Sequence, residues 1–114
     1  MKKEKIEGFL ERDFFWLETM QVLKSPLTVY WTWGVSHHLA LEPDADGYTK
    51  ALLLKVDGHH HKDFVLITLA WNDTYTVRLL DKDYQEIKVI REVYFDSLQT
   101  TIDKEIEFIQ GYTF

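Results

Sequence analysis

No cysteine occurs anywhere in this chain. That single absence removes disulfides, thiolate metal sites and a cysteine nucleophile together. Long apolar runs are missing too: nothing approaches the roughly 20 residues that a membrane-spanning helix needs. The first apolar positions are interrupted by Glu7, Glu11, Arg12 and Asp13, so no export signal is visible and the cytoplasm is the expected compartment. No GxSxG, P-loop, GxGxxG or HExxH pattern is present. Nor does any Gly/Ser-rich linker, repeat or low-complexity tract divide the 114 residues, which read as one α+β domain.

Positive charge is in short supply. Thirteen basic against nineteen acidic side chains leave a formal charge of −6, and a chain so charged is repelled by nucleic acid and by anionic membrane. The one basic cluster, Lys2, Lys3 and Lys5, is interrupted by Glu4 and reads as a solvated helix start. Aromatic residues, in contrast, are abundant at 15%. Flat rings suit a half-buried pleated surface and also mark interaction surfaces.

Apolar spacing then sets the expected elements. Phe9, Leu10, Phe14, Leu17, Met20 and Leu23 recur every three or four residues, with Ile6 and Trp16 widening the stripe, and predict an amphipathic helix over residues 4–24. Ser25-Pro26 ends it. In "LTVYWTWGVSHHLAL" the period becomes two, with Leu27, Val29, Trp31, Trp33, Val35, His37 and Leu39 on one face. That predicts a long strand over 27–41, bent or bulged at Gly34. Turn residues in "EPDADGY" lead to a strand at 48–56, and a further strand at 63–71 is apolar on both faces, as a central strand with cover on each side would be. Strands at 75–80 and 85–91 follow, Tyr75, Val77 and Leu79 alternating against Thr76 and Arg78. Leu98, Ile102, Ile106 and Ile109 predict a final helix over 96–110, with Asp96 and Gln99 as a capping box and Gly111 as its stop. Short turns between successive strands imply a five-stranded antiparallel meander flanked by an N-terminal and a C-terminal helix.

Three places could carry chemistry. Asp57-Gly58-His59-His60-His61-Lys62-Asp63 puts three histidines in a row. On an extended segment His59 and His61 point the same way, two donors short of a metal site unless Asp57 and Asp63, or His37 and His38, complete it. The same loop reads more simply as an exposed hairpin tip. His37 falls on the apolar face of its strand, with no nucleophile or acid identifiable beside it. The carboxylates Asp44, Asp46, Asp81 and Asp83 sit in turns without the spacing of a calcium loop. Finally, Trp31 and Trp33 share a strand face and Trp71 ends the central strand. If the helices leave that face open, the three form a patch for a protein partner or a homodimer interface.

"FVLITLAWNDTYTVRLL" followed by "EVYFDSLQTTID" resembles a family of small uncharacterised proteins encoded by bacteriophages and other mobile elements. Val65, Ile67, Thr68, Leu69, Asp73, Tyr75, Val77, Val93, Tyr94, Asp96, Leu98 and Gln99 match its pattern, and Ala70 departs from an Asn. The resemblance covers roughly residues 56–103 and implies a mobile-element origin without carrying a catalytic residue across. The expectation is therefore a non-enzymatic, protein-binding accessory module without catalytic residues, cofactor or resident metal. The alternative is a ligand- or metal-binding protein that uses the His59–His61 loop.

Overall fold

The computed structural model of the chain describes residues 6–106. Its elements are β1 (Phe14–Phe15), α1 (Trp16–Leu23), α2 (Leu27–Thr32), β2 (His37–Ala40), β3 (Tyr48–Thr49), β4 (Leu52–Asp57), β5 (Lys62–Leu69), β6 (Tyr75–Leu80), β7 (Glu86–Val93) and α3 (Leu98–Ile106). A five-stranded antiparallel sheet runs in the order β2-β4-β5-β6-β7, as the meander reading anticipates, and β1 pairs with β3 in a separate two-stranded ribbon. β5 is central, and the side chains of its middle residues, Val65 to Thr68, are buried whichever face they take.

Two covers make that possible. On one face Leu52, Leu54, Val56, Val65, Ile67 and Val77 pack with Met20 and Leu23 of α1, Tyr30 of α2, and Leu98, Ile102 and Ile106 of α3. On the other, Leu53, Leu66 and Leu80 pack with Ile6, and Phe9 and Leu10 close over them. The chain enters as a strap: a 3-10 turn at Glu7–Phe9, then extended backbone, with the Arg12 amide donating to the Leu69 carbonyl at 3.1 Å.

The helix expected over 4–24 is therefore a helix only from Trp16 to Leu23, and residues 4 and 5 lie outside the described residues. Its apolar stripe is real but serves two different surfaces. Ile6, Phe9 and Leu10 cover one face of the sheet, while Met20 and Leu23 cover the other. A continuous helix could not reach both. Leu17, which the stripe made a core position, is exposed.

The strand expected over 27–41 is also corrected. Leu27–Thr32 is helical, and only His37–Ala40 is strand. Tyr30 and Trp33, three apart, both point inward, which suits a helix as well as alternation suits a strand. Gly34 has φ +62° just beyond the last turn of α2, so it terminates a helix and does not bend a strand. The predicted strand 48–56 splits in two: Tyr48–Thr49 pairs with β1 in the ribbon, whereas Leu52–Asp57 joins the five-stranded sheet. At the last helix, Gln99 does not close a capping box with Asp96. Its Nε2 donates to the carbonyls of Leu23 and Pro26, each at 2.9 Å, and ties α3 to the α1–α2 connection. Residues 107–110 and Gly111 fall outside the described residues.

Arg78 is the other surprise. Alternation placed it toward solvent, yet it is buried beneath the strap. Its Nε donates to Glu86 Oε1 at 3.0 Å, its Nη1 donates to Thr68 Oγ1 at 3.4 Å, and the Phe9 ring lies 4.4 Å from its guanidinium carbon.

α3 is locked at its far end by the histidine loop. The His60 amide donates to the Ile106 carbonyl at 2.6 Å, and a Cβ on Gly58 would lie 2.1 Å from Ile106 Cγ2 and 2.9 Å from its carbonyl oxygen. Gly58→Ala must displace α3 and is expected to cost about 1–3 kcal/mol as an overpacking change. A chemical-denaturation midpoint checks this, and an unchanged midpoint would contradict the close approach.

Candidate functional site

The meander has two ends. One gathers the β4 start, the β5 end, the β6 start and the β7 end; the other carries the histidine loop. The tryptophans divide between them. Trp33 is fully buried, and its Nε1 donates to Asp103 Oδ1 at 3.0 Å, so it anchors α2 to α3 as core. Trp31 is 67% exposed on α2, whose C-terminal end meets Asp57 near the histidine loop. Trp71 is 73% exposed in the β5–β6 turn, at the other end. The expected three-Trp patch does not exist, because α2 is a helix and sends Trp31 and Trp33 in different directions.

The histidines do not converge either. His37 and His38 lie at the same end of the sheet as the loop, since His37 pairs with Lys55. His37 is exposed at the sheet edge, not on an apolar face, and its Nδ1 lies 3.1 Å from the neighbouring Ser36 hydroxyl. His61 turns inward, and its Nε2 donates to the Phe64 carbonyl at 2.9 Å. His59 and His60 meet each other edge to face at the tip. Among the described residues no three His, Cys, Asp or Glu side chains gather as a metal set. A groove of 480 Å³ beside the loop is lined by Gly34, Ser36, Lys55, Asp57, Lys62 and Asp63, where Lys62 and Asp57 form an exposed pair 3.5 Å apart.

The Trp71 end is different in kind. Trp71, Tyr94, Tyr48, Phe95 and Phe15 all stand exposed there, Phe15 and Tyr48 with ring centroids 5.9 Å apart. Gly47, at φ +89°, lets the Phe15 ring lie on the turn, because a Cβ would meet Phe15 Cε2 at 2.7 Å. Behind them Tyr75 fixes the layer: Phe14 packs edge-on to it at 5.9 Å, Phe95 stacks at 6.5 Å, and its hydroxyl shares a 2.7 Å hydrogen bond with Thr19. Burial pushes the Tyr75 phenol above the ordinary tyrosine value, and nearby Glu18 adds to the rise.

Beside Trp71 and Tyr48 runs a groove of 470 Å³, lined by these two rings and by Glu11, Arg12, Asp13, Asp44 and Lys50. A smaller hollow of 240 Å³ shares Asp13, Asp44, Tyr48 and Lys50 and extends toward Leu41. Arg12 is held by Asp73. Asp44 is fixed by its own turn, accepting from the amides of Asp46 and Tyr48 at 2.9 Å each.

No protein-family model matches the chain, and no curated protein or solved structure is significantly similar to it. The site must therefore be judged on its own geometry.

Sequence reasoning picked out Trp71 but missed its neighbours. Tyr48, Phe15, Tyr94 and Phe95 are far apart in the chain, and only the pairing of β1 with β3 and the return of β7 beside Tyr75 bring them together. Their one signal was the surplus of rings. Removing exposed Trp71 (Trp71→Phe) is expected to lower the share of tryptophan emission that acrylamide quenches, whereas Trp33→Phe raises it. The reverse order would contradict the placement of both.

Proposed function

We propose that this protein is a non-enzymatic binding module that docks a protein partner on the aromatic end of its sheet. In keeping with the resemblance of residues 56–103, it would be an accessory protein of a phage or other mobile element, modulating a host or element-encoded partner. The observation that carries the reading is the exposure of Trp71, Tyr94, Tyr48, Phe95 and Phe15 at one end of the sheet, where Trp71 and Tyr48 line a groove. Aromatic side chains lose little conformational freedom on binding and bury a large area, which is why they concentrate at interface centres.

The edges of the sheet support the same reading. A partner could instead add a strand, but both edges are blunted. β2 has only four residues. β7 is irregular in register at Tyr75/Val77 and Leu79/Leu80, takes φ +57° at Glu92, and carries Glu86, Lys88, Arg91 and Glu92. Short, bulged and charged edges disfavour strand addition. Contact through side chains at the open end is the route that remains favourable.

A random peptide library displayed and selected on the purified protein tests this. Enriched peptides should bind Trp71→Ala at least about tenfold more weakly than the parent, the loss typical of an interface hot spot. Peptides that bind parent and variant equally would place the working surface elsewhere.

A further inference from the structure

We infer that the groove beside Trp71 receives a guanidinium or ammonium side chain, so that the segment docked there is basic. This rests on the docking reading above and adds the chemistry of the partner. The rings supply half of the argument. Trp71 and Tyr48 line one groove, both exposed, and the face of an indole or phenol ring attracts a cation within about 6 Å of its centroid.

Charge supplies the other half. Glu11, Asp13 and Asp44 line the groove, and among the described residues that line it Lys50 is the one cation not already held by a carboxylate, because Arg12 is engaged by Asp73. Glu11, Asp13 and Lys50 form no ion pair among the described residues. Among the described lining residues three carboxylates face two cations, and with Arg12 paired to Asp73 and Asp44 engaged by its turn, Glu11 and Asp13 are left against Lys50 alone. An anionic ligand would meet those carboxylates. A neutral apolar segment would bury Glu11 and Asp13 unpaired, at a cost. A cationic side chain satisfies the rings and the carboxylates at once. It also suits the net charge of −6, which would steer a basic segment toward the protein.

Lys50 gives the inference a signature of sign. It stands where it would repel an incoming cation, so its removal should strengthen binding, which general damage to the fold would not do.

The test uses a short arginine-rich peptide in a glycine–serine background and its citrulline twin, which keeps the shape and loses the charge. Binding to the full-length protein is read by calorimetry at low and high salt. The arginine peptide should bind at least about tenfold more tightly than the citrulline twin, a ratio within the range of a partly desolvated cation–π contact. Glu11→Gln with Asp13→Asn should weaken it and flatten its salt dependence, and Lys50→Ala should tighten it. Twins that bind equally, both losing affinity in Trp71→Ala, would overturn the charge assignment while leaving the docking surface standing. An arginine peptide bound equally by parent and Trp71→Ala would also overturn it, as mere attraction to an acidic chain. So would an arginine peptide that fails to bind while display-selected peptides bind through Trp71.

Discussion

Everything in this fold follows from β5 being apolar on both faces. Val65 and Ile67 face one way, Leu66 the other, and all three are fully buried. A strand of that kind cannot sit in a sheet with one wet side, so the chain must provide two covers. Three helices supply the first. The strap from Ile6 to Leu10 supplies the second, and it reaches far enough to bury Arg78, which Glu86, Thr68 and Phe9 together make tolerable beneath it. With the central strand covered on both faces and both edges blunted, the proposed docking surface is an end of the meander. That end is rich in exposed rings.

Legibility in the sequence followed the range of the interactions involved. The strands from β4 to β7 were readable because hairpin neighbours are joined by short turns and their apolar pattern has period two. The dual burial of β5 was visible in "DFVLITLAW" itself. Residues 6–15 and 27–36 depart from the expected elements because periodicity reports that a face is apolar and not what it packs against. Ile6, Phe9 and Leu10 continue the helical stripe of Met20 and Leu23, but they answer to opposite faces of the sheet. In "LTVYWTW" alternation and three-residue spacing coincide, and the contact of Trp33 with Asp103, seventy residues on, favours the helix. Arg78 followed its alternation into a face that local reasoning took to be open.

The candidate site was the least legible part, since it is assembled almost wholly by long-range pairing. Trp71 could be singled out as an aromatic residue at a strand end. Nothing local joins it to Glu11, Asp13, Asp44 or Tyr48. The Arg12–Leu69 backbone bridge and the β1–β3 ribbon bring them together, and both depend on the strap lying across the sheet. Fold and candidate site thus share one element: the segment that completes the core also forms a wall of the groove.

The most direct measurement is the unfolding free energy of Ile6→Ala set beside that of Leu17→Ala. If the strap is the second cover, Ile6→Ala costs about 2–5 kcal/mol as a core truncation. Leu17→Ala, on the exposed side of α1, then stays within about 0.5 kcal/mol of the parent. A neutral Ile6→Ala would mean that the strap does not cover the second face, and the two-cover account would be wrong; a costly Leu17→Ala would put Leu17 back in the core, as one continuous N-terminal helix requires.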